Sequence, residues 1–230
     1  MTRRPATLAV FLAVLLAAPA ALRAQGLELL HVAKIWEQAP HNAFTDLVWH
    51  EGAFLCVFRE GRGHVSPDGA LRVLASEDGV AWKSRAVVRM EGLDLRDAKL
   101  VVRPEGGLLL SGAAAYPKGS PITHQTFAWS SADGAAWSPP IPVGQHNVWL
   151  WRTLWNPGDS RWYGVGYDTS GERFARLYRS ANGLEFEPLV DRLVEKEYPN
   201  ESGLAAMPDG SMLCLLRRDG QPGEALLGEA

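Results

Sequence analysis

A glycine-centred turn followed by an apolar run recurs four times along the 230-residue chain, and that repeat narrows the folds open to it. His50-Glu51-Gly52 leads into AFLCVF, Pro104-Glu105-Gly106 into GLLLSG, Asn156-Pro157-Gly158 into DSRWYGVG and Pro208-Asp209-Gly210 into SMLCLL. The glycines stand 54, 52 and 52 residues apart, a period that points to a propeller or a solenoid. Apolar residues also precede each turn, as in DLVW before Gly52 and GLAAM before Gly210. Each unit therefore predicts a β-hairpin in which glycine supplies the positive φ of a tight turn.

A second element alternates with the hairpins. It reads SEDGVAW from Ser76, SADGAAW from Ser131 and, in degenerate form, SANGLEF from Ser180. Asp or Asn turns the backbone by accepting from nearby amides, Gly takes the left-handed position, and the aromatic residue tucks beneath the turn. With nine tryptophans, many glycines and prolines, and almost no helix-period pattern after the first 24 residues, the chain predicts an all-β fold. The repeat makes it a β-propeller of four-stranded antiparallel blades, with the glycine hairpins as the two inner strands of each.

The N-terminus is of another kind. Arg3 and Arg4 precede an apolar run from Ala6 to Leu16 and a small-residue stretch from Ala17 to Ala24. This is the pattern of a cleaved secretory signal peptide, too short to span a bilayer, and it predicts a secreted or periplasmic protein with no membrane attachment after cleavage. Cleavage after Ala24 removes three arginines of 23 basic residues, leaving 20 against 26 acidic ones, a formal charge of −6. That balance makes nucleic acid an unsuitable partner. Cys56 and Cys214 both lie in apolar strands, so neither a disulfide framework nor metal-ligand spacing is available, and no cofactor is expected. Nothing in the sequence signals a particular oligomeric state.

The interleaved turns resemble the Asp-box, or BNR, repeats of the sialidase superfamily, and the resemblance covers residues 25–230. Strings such as FREGRGHVSPDG, DLRDAKL and PNE followed by LRRDG are similar to a bacterial sialidase-like subgroup. The resemblance implies a six-bladed ring of roughly 310 residues. The sequence holds three blade units and the inner hairpin of a fourth, so residues 25–230 are expected to be a C-terminally incomplete propeller, with Leu27–Lys34 as a candidate closing strand. The boxes close the outer hairpins away from the catalytic face, so Asp78 and Asp133 are read as structural.

Residues at the ends of the inner strands are the candidates for chemistry. Arg59 and Arg217 each lie seven residues beyond their turn glycine and end the matched runs LCVFR and LCLLR. Guanidinium suits a carboxylate because it donates two parallel hydrogen bonds, and the resemblance implies that these two arginines belong to a substrate-carboxylate clamp. Glu201 would then activate a tyrosine nucleophile that comes later in the chain in such enzymes, and Asp68 would be the general acid. His64 is a candidate for bonding substrate hydroxyls. Arg96 and Asp97 in LDLRDAKL, and Arg152 with Trp149 and Trp151 in NVWLWRTLW, are candidates for sugar binding, against a structural reading as an ion pair and inter-blade packing. The leading expectation is an exo-acting sialidase-like glycoside hydrolase for terminal acidic sugars of glycans, inactive in this shortened form. The rival is a propeller that binds glycans or proteins without turnover.

Overall fold

The computed structural model describes residues 29, 31–220 and 225–229, so the leader sequence lies outside the described residues. Contacts divide the chain into Met1–Ala33 and Lys34–Ala230, and the fold belongs to the second unit. Among the described residues there are fifteen strands and no helix.

Four antiparallel sheets follow one another. The first blade orders β1 (His41–His50), β2 (Ala53–Gly61), β3 (Ala70–Ser76) and β4 (Lys83–Val88) from the inside outward. The second contains β5 (Asp94–Val102), β6 (Leu108–Ala115), β7 (His124–Ser131) and β8 (Ile141–Val143). In the third, β9 (Val148–Asn156) is innermost, followed by β10 (Arg161–Asp168), β11 (Ala175–Ser180) and β12 (Phe186–Val194). The fourth holds β13 (Pro199–Ala206), β14 (Met212–Arg218) and β15 (Leu226–Glu229). The propeller of glycine hairpins read from the sequence is therefore present, with β15 as a strand the sequence reading had not separated. Leu29 and His31–Lys34, the described part of the candidate closing strand, are exposed coil.

Burial explains the strand sequences. The middle strand β6 is covered on both faces by neighbouring blades, and β2 by the second blade on one face and by Trp36 and Trp82 on the other, so both read as continuous apolar runs instead of alternating ones. One apolar layer joins Leu55, Val57 and Leu71 of the first blade to Leu95, Leu108 and Leu110 of the second. Another joins Leu109 and Val143 of the second blade to Leu150, Trp162 and Tyr178 of the third. A smaller layer of Val165, Ala175 and Leu216 carries the third blade onto the fourth. Consecutive blades pack face to face, whereas among the described residues the first and fourth share no comparable interface. The outer strand β12 is exposed along most of its length and carries Glu187, Asp191 and Arg192, charges that discourage pairing with another chain.

The two rims of the propeller differ. One carries the hairpin turns and the three Ser-x-Asp/Asn-Gly turns. Glu51 and Gly52 both have positive φ, the geometry of a two-residue hairpin turn. The carboxylate of Asp78 accepts from the amides of Val80 and Ala81, both at 2.8 Å, and Trp82 Nε1 donates to the Gly79 carbonyl. Asp133 and Asn182 repeat the arrangement with Ala135 and Ala136, and with Leu184 and Glu185. Hydrogen bonding from these amides holds the Asp78 and Asp133 carboxyls below the usual range, as a local structural role requires. The other rim carries the segments 62–69, 116–123 and 169–174, and the candidate site lies there.

Cys56 and Cys214 are free thiols on the middle strands of the first and fourth blades. Trp162, 1% exposed, is the largest fully buried side chain and packs against Gly183 of the third box turn. Trp162→Ala is expected to lower stability by about 3–5 kcal/mol in urea denaturation, because it empties the layer between the second and third blades.

Candidate functional site

Each inner strand carries one extra residue at the same height. The pairing register slips between Ala43 and Asp46 in β1, between Arg96 and Lys99 in β5, opposite Val165 and Gly166 in β9, and between Pro199 and Ser202 in β13. Such bulges re-aim side chains. Here they place Asp46, Asp97, Lys99, Arg152 and Glu201 at or beside a kink of an inner strand. Asp97 itself has φ 48, an unusual conformation for a non-glycine residue.

Asp46 is the hub. Its Oδ2 accepts from Arg152 Nη1 of the third blade at 2.9 Å and from the Leu100 amide of the second at 2.9 Å. Arg152, a candidate for substrate binding, is thus engaged in linking blades. Lys99 lies over the Trp151 ring at 5.0 Å, and burial pulls its ammonium below the usual lysine range. Asp46 and Lys99 were not singled out from sequence, although each directly follows a bulge in the place that Arg152 takes in β9.

Asp97 is buried, and no donor among the described residues is hydrogen-bonded to its carboxyl. Burial pushes it up to about 6, with Lys99, Arg96 and Arg59 opposing and Glu201 assisting the shift. Glu201 pairs with Arg217 at 3.0 Å, and Arg217 also binds Asp219 at 2.8 Å. Tyr167 lies within the fields of Asp97, Glu201 and Tyr198, and burial pushes its phenol above the ordinary range. Its ring stacks on Trp149 at 5.8 Å and tilts against Trp151 at 5.9 Å, while His124 also stacks on Trp149, at 4.8 Å. Burial, helped by Arg96, lowers His124 to about 4, so it is neutral at ordinary pH.

Arg59 occupies a different environment. It is fully buried, and every nitrogen of its guanidinium has a partner. Nε and Nη2 bind Asp94 Oδ1 at 2.9 and 2.8 Å, Nη1 donates to the Gly63 carbonyl at 2.8 Å, and Nη2 also reaches Ser66. No edge is left for a ligand. The matched counting of Arg59 and Arg217 from their glycines also needs correction. Arg59 pairs with Ala43, the residue before the bulge of β1, and its counterpart before the bulge of β13, Pro199, pairs with Arg218. The turn at 207–211 is longer than that at 51–52, which shifts the count by one and reverses the side on which the arginine points. Arg218 is accordingly covered and paired with Glu197, whereas the Arg217 side chain is 54% exposed.

The remaining candidates lie in the 62–69 segment. Asp68 pairs with Arg62 at 3.3 Å, and hydrogen bonding, chiefly from the Ser66 side chain, holds its carboxyl below the usual range, the opposite of what a general acid needs. His64 is exposed, its ring edge-on to His41 and Phe44 at 5.4 and 5.3 Å. The structure thus groups Asp97, Glu201, Arg217 and Arg152 with Asp46 around the inner strands. It places Arg59, Asp68 and His64 around a separate loop, with Arg96 beside both. Among the described residues no three His, Cys, Asp or Glu side chains form a metal-sized cluster.

No protein-family model and no curated protein matches the chain by sequence. Solved structures do match in fold. A protein of unknown function from Dyadobacter fermentans superposes with TM-score 0.70 at 18% identity, over 83% of this chain and 65% of its own. The α-L-arabinanase of Penicillium chrysogenum, complexed with arabinobiose, gives 0.63 at 16% identity over 83% and 62%. An exo-β-1,3-galactanase from Phanerochaete chrysosporium, complexed with β-1,3-galactotriose, gives 0.61 at 9% identity over 81% and 46%. The chain spans less than two thirds of the length of these proteins. The two named enzymes are an arabinanase and a galactanase, not sialidases, and what all three proteins share with this chain is the β-propeller fold.

Two outcomes test the electrostatics. Asp94→Ala strips the buried Arg59 of its counter-ion and is expected to cost about 3–5 kcal/mol in urea denaturation. The raised Asp97 carboxyl contributes stability that is fully present below its unfolded pKa of about 4 and is lost as pH rises through about 6. Asp97→Asn should therefore raise the melting temperature relative to wild type above pH 6, with the difference shrinking to nothing near pH 4.

Proposed function

We propose that the protein is a glycoside hydrolase of the propeller type, with Asp97 as general acid and Glu201 as the carboxylate that acts on the opposite side of the scissile bond. The observation that carries this reading is the pairing of two inner-strand carboxyls in opposed environments. One is buried and raised to about 6; the other is half exposed and ion-paired to Arg217. A glycosidase needs one carboxyl that keeps its proton and one that does not, and burial against ion pairing is how a protein separates them. The Trp149, Trp151 and Tyr167 rings supply apolar faces of the kind that pack on sugar C–H groups. The likeness to an arabinanase and a galactanase, each solved with an oligosaccharide, supports a glycan substrate. The leader-like residues 1–24 support action outside the cytoplasm.

The narrower sialidase reading, in which Arg59 and Arg217 clamp a carboxylate, Asp68 is the acid and Glu201 activates a tyrosine, has less in its favour. Arg59 has no free edge, Asp68 is held ionised, and the tyrosine beside Glu201 is pushed away from its phenolate form. A propeller that binds glycans without turnover is the second reading, favoured by the Trp149, Trp151 and Tyr167 rings, which offer sugar-packing faces whether or not a bond is broken.

The test is hydrolysis of a panel of aryl glycosides that includes an arabinofuranoside, a galactoside, a glucuronide and a sialoside. The hydrolytic reading expects turnover that declines as pH rises above about 6, with kcat reduced by about 10²-fold or more in Asp97→Asn and in Glu201→Gln. Saturable glycan binding with no product from the wild type would decide for the binding propeller. Turnover of the sialoside alone, abolished in Asp68→Asn and retained in Asp97→Asn, would restore the sialidase reading.

A further inference from the structure

Beside the central carboxyls, the 62–69 segment and the residues after β6 enclose a cleft of about 210 Å³. Its floor is Asp94 with Arg96, and its walls are Val65, Pro67, Tyr116 and Lys118. The volume falls below the roughly 300–1,000 Å³ of sites that take drug-sized ligands, and suits one sugar ring better than a chain of them. Val65 is 68% exposed, so the wall offers a solvent-facing apolar surface of the sort that a sugar's C–H face covers.

The charge of the cleft is unbalanced. Asp94 is its carboxylate, and both oxygens are already occupied. Oδ1 accepts from Arg59 at 2.9 and 2.8 Å, and Oδ2 accepts from Arg96 Nε at 2.8 Å and from the Ser66 amide at 3.3 Å, with Arg96 Nη2 ion-paired to it at 2.7 Å. One carboxylate therefore faces two guanidiniums. Lys118 adds a third cation at the rim, and among the described residues no carboxylate pairs with it. Arg96 spends its Nε and Nη2 on Asp94, while its Nη1 has no hydrogen-bond partner among the described residues. The end of the guanidinium formed by Nη1 and the second N–H of Nη2 is the edge that grips a planar carboxylate through two parallel bonds.

We propose that this cleft is a subsite for a hexuronic acid unit, whose carboxylate is held between Arg96 and Lys118 while its ring packs on Pro67, Val65 and Tyr116. The assignment rests on the reading of the central face as glycan-handling, since Arg96 adjoins Asp97 in β5, and it makes acidic polysaccharides the substrate class. A tetrahedral sulfate ester would satisfy the same charge, but it does not match the two parallel donors of one guanidinium edge as a planar carboxylate does.

Calorimetric titration of the protein with methyl β-D-glucuronide, methyl β-D-glucoside and glucose 6-sulfate tests this without requiring turnover. The glucuronide is expected to bind about tenfold or more tightly than the glucoside, and more tightly than the sulfate, with the preference weakening as salt is added. Arg96→Gln should abolish the preference. Because Arg96 also belongs to a buried ion pair, the decisive variant is Lys118→Glu at an exposed position, which should remove the preference while leaving the fold intact by circular dichroism. Asp97→Asn should retain it. Equal affinities for glucuronide and glucoside, a preference for the sulfate, no binding of any of the three, or an unaltered preference in Lys118→Glu would each overturn the subsite. Glucuronide preference in a protein that hydrolyses none of the aryl glycosides would leave the subsite standing and count against the hydrolytic reading alone.

Discussion

The Asp46 carboxylate is where three blades meet. Each blade folds as a meander of neighbouring strands whose ladder hydrogen bonds lie within its own sheet, so blades are set on one another by apolar packing and by a limited number of polar contacts, the buried Arg59–Asp94 pair among them. Asp46 adds a directional constraint. By accepting from the Leu100 amide and from Arg152, it fixes the second and third blades relative to the first at the point where their inner strands converge. A partly buried carboxylate that takes a backbone donor and a guanidinium together satisfies the demands that make such charges costly when left alone. The positions of Asp97, Lys99 and Trp151 relative to one another follow from that junction.

The same region shows how a regular fold supplies irregular chemistry. A strand without a bulge alternates its side chains between the two faces of its blade, and the layers packed between blades are apolar here. One extra residue per inner strand breaks the alternation near the same rim in all four blades, which is where charged groups collect. The cost is an unusual backbone at Asp97 and Phe44. The gain is a carboxyl that burial raises to about 6, close to one that is half exposed and ion-paired to Arg217.

Much of this architecture was legible from the glycine hairpin and Ser-x-Asp/Asn-Gly turns, because their hydrogen bonds are local: Asp78 reaches amides two and three residues away, and any chain with that pattern can make them. The site was legible only in part. Asp97, Glu201, Arg152 and Arg217 were found because they stand where inner strands begin or end, but their partners lie in other blades. Nothing near Arg59 in sequence announces that Asp94, 35 residues away, will seal it. Asp46 sits in the unremarkable string FTDLVW, and its importance comes from an arginine 106 residues later. The degree of burial that separates Asp97 from Asp68 is likewise a property of the assembled blades.

The contrast between the first and fourth blades has a consequence for how such proteins diverge. Arg217 and Arg218 are adjacent, and which of them is covered and which faces outward is decided by the length of the hairpin turn at 207–211, not by either arginine. Insertion or deletion of one residue in that turn would exchange their surroundings, turning the guanidinium now bound to Glu197 outward and drawing the other in. Turn length on one rim thus tunes the charge presented on the opposite rim, across the full height of the blade. A lineage of these proteins can change the charge of its central face through a small change at the far rim, with neither arginine substituted.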